Sequence, residues 1–208
     1  MTSRWERLAP LTGVLAIAVI LIGVIVIGGN TPDTNDPATK ILSFYKDHRD
    51  KEMGAAFITG IGGALFVFFS ASMRALLSRP PARGRLAAAA FGGGIVTAAG
   101  ILAASTIHLA LADSGKHGTA DVAQALAYLD NSDYLVFGFG LAAMVLPAGI
   151  SIVRTRVLPL WLGIVAIVAG VVSFTPFGFF GFLLALVWVI VVSIWLAVRP
   201  VADTTALA

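Results

Sequence analysis

The sequence predicts an all-α membrane protein with six transmembrane helices in one domain, residues 1–208. Of its 208 residues, 58% are hydrophobic and only 12% are charged, about half the ~25% typical of soluble domains. The apolar residues form continuous runs of roughly 20, enough to cross a hydrocarbon core of about 30 Å as helices. Barrel strands would alternate instead. The predicted spans are residues 11–29, 53–73, 86–112, 134–153, 158–174 and 177–198.

Particular residues at the ends of these runs or within them support the interpretation of individual spans. Arg4 and Arg7 precede the first run, which is too long for a secretory signal and has no Ala-x-Ala site after it, so it is interpreted as an uncleaved span. Pro147 is expected to kink the fourth span, because it removes a backbone donor. Only the turn at Thr175 and Pro176 separates the fifth span from the sixth.

Two amphipathic helices are predicted in the outer loops. Asp36 followed by Pro37 is typical of an N-cap and first-turn proline, which would open a surface helix running to about Glu52 and leading into the second span. Thr119 can cap a second segment, and Ser132 or Asp133 can cap the fourth span. The two short helices would form a roof over the outer mouth of the bundle.

The charges predict the orientation, because short cytoplasmic loops are enriched in Lys and Arg. One side carries nine basic residues against two acidic ones, and the other carries five against nine, which together give the net +3. Both termini are therefore expected to be cytoplasmic. The first side contains Arg4, Arg7, Arg74, Arg79, Arg83, Arg85, Arg154, Arg156 and Arg199 with Glu6 and Asp203.

His108 is the most informative single residue, since it lies at the outer end of a long apolar span. Polar residues in spans usually face the protein interior and often mark a site. Small residues also recur along this helix at helical spacing, which favours close helix contact on the same face. These residues are Gly93, Thr97, Gly100 and Ala104.

Histidines, tyrosines and carboxylates gather on the outer side, where they could line a vestibule. For the tyrosines, an interfacial aromatic belt is the favoured explanation. The candidate ligand-binding residues are His108, His48, Tyr45, Tyr134, Asp113 and Thr97. His48, His108 and His117, with Asp50, Glu52, Asp113 and Asp121, are weak candidates for a metal site, because no two histidines have the i,i+4 spacing.

Several classes of function are disfavoured. There is no cysteine, no Gly-x-Ser-x-Gly, no His-Glu-x-x-His and no phosphate-binding loop with its lysine. A membrane cytochrome would need more than one intramembrane histidine. The basic residues are dispersed over short loops, which argues against nucleic-acid binding. We therefore expect a protein that is not an enzyme and has no cofactor.

Short motifs resemble those of a known group. These are Arg154-Thr-Arg-Val-Leu-Pro-Leu-Trp-Leu-Gly163 with Gly170, Leu186-Val-Trp-Val-Ile-Val-Val-Ser-Ile194, and Asp36-Pro-Ala-Thr-Lys-Ile-Leu-Ser-Phe-Tyr45. The chain is similar on these motifs to uncharacterised six-helix membrane proteins of actinobacteria. The resemblance implies a six-helix fold in a bacterial plasma membrane and supplies no substrate.

Three functions remain open from the sequence. The leading hypothesis is a non-enzymatic protein that binds a small molecule, lipid or ion in an outward-facing cavity beneath the loop helices. A small-solute transporter or channel is the second, suggested by Pro147 and the glycine-rich second and third spans. An accessory or structural subunit is the third. Membrane lipids are expected partners in each case, and the small-residue spacings suit a homo-oligomer or a partner membrane protein.

Overall fold

Helices account for nearly all of the residues that the structure describes. The computed structural model describes residues 8–79 and 84–198, and no strand is found among them. A short 3-10 turn, Ala9–Leu11, leads into α1, Thr12–Leu21, which continues into a π-helical stretch, Ile22–Ile27. The remaining helices are α2 (Ala38–Leu77), α3 (Gly84–His117), α4 (Ala120–Ser132), α5 (Tyr134–Thr155), α6 (Leu160–Ser173) and α7 (Gly178–Val198).

The prediction of an all-α protein is confirmed. In the described ranges, four helical stretches are long and apolar enough to cross a membrane, and two apolar helices are shorter. The four are Ala38–Leu77, Gly84–His117, Ala120–Thr155 and Gly178–Val198, and the shorter ones are Ala9–Ile25 and Leu160–Ser173. These stretches indicate a membrane protein. Several charges used to predict the orientation lie outside the described residues, namely Arg4, Glu6, Arg7, Arg83, Arg199 and Asp203.

Six helices form a closed ring. In order around the ring they are α1, α2, α3, α5, α6 and α7, and α7 returns to contact α1. Small residues let neighbouring helices approach closely. A Cβ on Gly93 of α3 would lie 2.3 Å from the backbone nitrogen of Met144 in α5, so this crossing requires glycine. The indole nitrogen of Trp188 in α7 donates a hydrogen bond of 2.8 Å to the carbonyl oxygen of Leu162 in α6.

One prediction about the second span was wrong. The surface helix expected to end near Glu52 and the span expected to start at Met53 are one uninterrupted helix, α2, of 40 residues. At 1.5 Å per residue α2 is about 60 Å long, twice the thickness of a hydrocarbon core. Residues 38–52 of α2 therefore extend beyond the apolar part of the bundle.

The capping prediction at Asp36 was also wrong, whereas the one at Thr119 is confirmed. The N-cap of α2 is Pro37, and it receives no side-chain cap. The carboxylate of Asp36 instead forms an ion pair of 2.9 Å with Lys40, which lowers the pKa of Asp36 below its ordinary value. Thr119 caps α4 by accepting a hydrogen bond from the backbone of Val122.

A small hydrophobic core, separate from the one inside the helix ring, holds one end of the bundle together. We call this end the charged cap: residues 38–53 of α2, residues 109–117 of α3, and α4. Its buried side chains are Ile41, Tyr45, Leu111, Ala112, Ala123 and Ala127. The apolar side of α4 thus packs onto α2 and α3. The C-terminal end of α4 is thereby brought over the ring, where Asp130 meets α3.

Candidate functional site

A cavity of about 340 Å³ lies inside the ring, next to the charged cap. It is lined by residues of α1 and the π-helical stretch that follows it, and by residues of α2, α3, α4, α5 and α7. Its lining along α3 runs from Thr97 to His108, about 16 Å at 1.5 Å per residue. The volume is within the ~300–1,000 Å³ typical of small-molecule sites.

The two ends of the cavity differ in chemistry. Toward the middle of the bundle the walls are apolar and include Phe66, Ile101 and Leu141. At the charged cap the walls include His108, Asp130 and Asp133. The cavity is therefore amphipathic along its length, with an apolar body and one polar end.

His108 connects two carboxylates at this polar end. Its Nδ1 lies 3.1 Å from Oδ2 of Asp130 on α4, and its Nε2 lies 3.2 Å from Oε2 of Glu52 on α2. Tyr45 packs edge-on against the imidazole, with ring centroids 6.2 Å apart. We call Glu52, His108 and Asp130 the carboxylate–histidine triad. It joins α2, α3 and α4 at one point.

Glu52 is the most deeply placed charged residue of the triad. Its side chain is 0% exposed, and its Oε1 has no hydrogen-bond partner among the described residues. A Cβ on Gly28, a residue of the cavity wall, would lie 3.4 Å from its Oε2. The carboxylate therefore lies directly behind the wall. Burial of such a group is costly unless it is paired, which makes His108 a structural partner as well as part of the cavity wall.

Asp133 adds a further carboxyl group to the polar end. It lies between α4 and α5, outside the apolar spans, and its side chain makes no capping hydrogen bond to α5. The pKa of Asp133 is raised to about 7, mostly by burial and also by the negative charge of Asp130, while His108 partly offsets both effects. Asp133 therefore changes charge near neutral pH.

This raised pKa predicts a pH-dependent stability. Between about pH 4 and pH 7, Asp133 is protonated in the folded protein but largely ionised in the unfolded chain. The free energy of unfolding is therefore highest below about pH 4 and falls as the pH rises through 7. We expect Asp133→Asn to be more stable than the wild type by about 1–2 kcal/mol above pH 7, after discounting for solvent exposure, and equal to it near pH 4. Thermal unfolding of both proteins from pH 4 to 8 measures the difference. A difference independent of pH would contradict the assignment.

The other candidate residues lie in different places. Thr97 is buried in the cavity wall, and its hydroxyl donates to the carbonyl of Gly93. Tyr45 is buried beside His108, and burial together with the charges of Asp130 and Glu52 raises its pKa above the ordinary value. Tyr134 is 58% exposed and is not among the residues that line the cavity.

The remaining candidates, Asp113 and His48, lie at the surface of the charged cap and make separate sets of contacts. Asp113 accepts hydrogen bonds from the guanidinium of Arg49 and lies 3.1 Å from Nδ1 of His117. These bonds lower the pKa of Asp113, with Arg49 contributing most. His48 stacks on Phe44 and donates from Nδ1 to the carbonyl oxygen of Phe44. The Arg49–Asp113 pair joins α2 to α3, and none of these residues lines the cavity.

The three histidines do not meet. His108 is inside the ring, whereas His48 and His117 are exposed on the charged cap. Within residues 8–79 and 84–198, no group of three or more His, Cys, Asp or Glu side chains could hold a metal ion. Chemically, the triad can accept hydrogen bonds and hold protons, with the apolar cavity beside it.

Sequence reasoning missed three residues of the polar end as ligand candidates: Glu52, Asp130 and Asp133. From the sequence, Glu52 is a candidate only for a metal site, Asp130 marks the end of the second outer-loop helix, and Asp133 is a possible helix cap. One signal was available. Glu52 lies seven residues after Tyr45 and three before Ala55, so it continues the buried stripe of α2.

Comparison with known proteins supplies a family but no activity. A family model described as "Domain of unknown function (DUF4386)" matches residues 11–200. No curated protein and no solved structure matches the chain. The geometry of the cavity is therefore the main guide to function.

Proposed function

The chain belongs to the DUF4386 family, and we propose that it binds a lipid-like small molecule, with one polar end and one apolar chain, in the cavity inside the helix ring. It does so without catalysis. The observation that carries the proposal is the shape of the cavity: about 340 Å³, apolar over most of its length and polar at one end. A ligand with an apolar chain and one polar head group would bury the chain against the apolar wall and form hydrogen bonds with its head group at the polar end.

We also propose a topology. The six helices of the ring cross a bacterial plasma membrane, with both termini in the cytoplasm and the charged cap outside. The excess of basic residues at the other end of the bundle supports this orientation. Arg74 and Arg154, in the last turns of α2 and α5, belong to that basic end. The ligand would then enter from the outer leaflet or the external medium.

Packing favours binding over transport. Transport requires a polar route through the bundle, and the half of the ring away from the charged cap is filled by buried apolar side chains such as Phe69, Met73 and Trp188. The buried hydroxyls of Ser70 and Ser193 donate to carbonyls of their own helices. We therefore expect no solute flux in reconstituted vesicles.

Filling the cavity tests the proposal. Ala104 lines the cavity on α3, while its neighbour Ala103 is exposed on the outside of the same helix. We expect Ala104→Phe to abolish stoichiometric co-purification of a lipid-like molecule, because a phenyl group occupies its space. Ala103→Phe adds the same side chain outside the cavity, so it is expected to retain the ligand. Native mass spectrometry of protein extracted gently from membranes, followed by identification of the released molecule, makes the comparison.

The pattern of adducts among the wild type and the two variants decides whether the molecule binds in the cavity. An adduct present in the wild type and in Ala103→Phe but absent from Ala104→Phe supports the proposal. An adduct that persists in Ala104→Phe would place the molecule elsewhere on the protein, and the proposal would fail. Circular dichroism of both variants establishes that each is folded.

A further inference from the structure

We propose that the ligand carries a protonated amine, and that this amine binds at the polar end of the cavity beside Asp130 and Asp133. The inference rests on the proposed function, since it assigns a chemical class to the head group of the molecule in the cavity. Three observations carry it: the charge of the carboxylate–histidine triad, the second carboxyl at Asp133, and the lack of a cation in the described part of the wall.

The three groups of the triad carry a net charge of −1, whether the shared proton lies on the imidazole or on a carboxyl group. Both ring nitrogens of His108 face carboxylate oxygens, and an ionised carboxylate only accepts hydrogen bonds. Either the imidazole is protonated on both nitrogens between two carboxylates, or it is neutral and one carboxyl holds the proton. Both arrangements leave a net charge of −1 on the three groups. Asp133 adds a second negative charge when it is ionised.

Among the described residues, no lysine or arginine of the cavity wall balances this charge. Lysine and arginine are absent from the described residues that line the cavity. Arg49, three residues before Glu52 on α2, is bound to Asp113 and Asp50 on the surface of the charged cap. Glu52 is fully buried with one oxygen unpartnered in the part of the chain that the structure describes. Uncompensated negative charge in an apolar setting is costly, so the polar end favours a cationic ligand and disfavours an anionic one.

The rest of the cavity restricts the ligand to an amine with an apolar chain. A mostly apolar wall extends from the polar end along α3 for about 16 Å, past Ala104 and Ile101 to Thr97. The hydroxyls of Ser105 and Thr97 in this wall donate to backbone carbonyls of α3. A small hydrophilic amine would leave this wall in contact with water. An ammonium group can donate to Asp130 and Asp133 while its chain lies along the wall, and hydrogen bonds between ionised groups are the stronger kind.

Three probes of equal chain length test the inference: n-dodecylamine, n-dodecanol and dodecanoate. Native mass spectrometry at pH 7.5 compares their binding to the purified full-length protein in detergent. We expect dodecylamine to bind about ten- to hundredfold more tightly than dodecanoate, the range for one or two charge-assisted hydrogen bonds. Ala104→Phe should block all three probes, and Ala103→Phe none.

Asp133→Asn is the diagnostic variant, because its effects on binding and stability have opposite signs. It should reduce dodecylamine binding about tenfold and leave dodecanol binding unchanged. Removal of the carboxyl is also expected to stabilise the fold above pH 7, so weaker amine binding would not reflect unfolding. A purely structural role for Asp133 would alter the binding of all probes equally and would overturn the assignment.

The failures of the two proposals can be told apart. If dodecanol or dodecanoate binds as tightly as dodecylamine while Ala104→Phe blocks them all, the cavity binds apolar chains and the amine inference is overturned. If no probe binds, or if Ala104→Phe alters none of them, the proposed function fails and the inference fails with it. Binding of lysophosphatidylethanolamine, measured in the same way, distinguishes a lipid head group from a free amine. Binding as tight as that of dodecylamine assigns the amine to a membrane lipid, and weaker binding assigns it to a free amine.

Discussion

Replacement of His108 by alanine is expected to lower the free energy of unfolding by about 3–5 kcal/mol, the usual cost of leaving a buried charge without its partner. The group left without a partner is Glu52. Its side chain is 0% exposed, and its only hydrogen bond among the described residues is the one it shares with His108. Equilibrium unfolding in detergent, followed by circular dichroism, measures the loss. His48→Ala is the matched control, because His48 is exposed on the same cap and should cost less than about 0.5 kcal/mol.

A double variant determines whether Glu52 is the cause. Glu52→Gln removes the charge but keeps the shape, so His108→Ala should cost much less in that background. The coupling between the two positions is expected to be about 1–3 kcal/mol, as for other residues in direct contact. Equal losses from His108→Ala with and without Glu52→Gln would show that the histidine stabilises the fold by packing alone.

The second large effect is expected at Gly93. A single methyl group there, in Gly93→Ala, would lie 2.3 Å from the backbone nitrogen of Met144 and 2.5 Å from the carbonyl carbon of Ala143. Backbone atoms cannot move aside as a side chain can, so α3 and α5 must separate. We expect a loss of about 3 kcal/mol or more, at the upper end of overpacking effects, measured by the same unfolding assay.

Gly92 offers a control one residue away. A Cβ on Gly92 would meet nothing within 4 Å, so Gly92→Ala changes only the conformational freedom of the helix. That change is expected to stabilise α3 by up to about 1 kcal/mol. Opposite signs at two adjacent glycines would verify the close α3–α5 contact. Similar effects at both positions would show that the helices are further apart.

Most of the helices could be predicted from the sequence, because each follows from a long apolar run. Their ends at the charged cap could not. Residues 46–53 contain no proline or glycine, and the sequence Lys51-Glu52-Met53 consists of good helix formers. The sequence changes from charged to apolar residues between Glu52 and Met53, where a helix boundary was expected, but this change does not interrupt α2. At Asp36, the nearby Lys40 competed for the carboxylate that was expected to cap the helix.

The site was predictable only in part. His108 was identified because an isolated polar residue in an apolar helix is visible in the sequence. Its partners Glu52 and Asp130 are 56 and 22 residues away, and each has a plausible local role at a helix end. Only the packing of α4 onto α2 and α3 brings them together. His48 and His117 lie in charged and polar stretches of the sequence. Each finds a partner on its own helix and remains on the surface.

Photolabelling with a diazirine at the end of a dodecylamine chain tests the central claim most directly, because it reports where the apolar chain lies. With the amine at Asp130 and Asp133, the label should appear on residues deep in the cavity, around Ile101 on α3 and Leu141 on α5. Excess unlabelled dodecylamine should remove it, and so should Ala104→Phe. Labels confined to outward-facing side chains such as Phe57 and Ile61, which are 62% and 56% exposed, would contradict a ligand inside the ring.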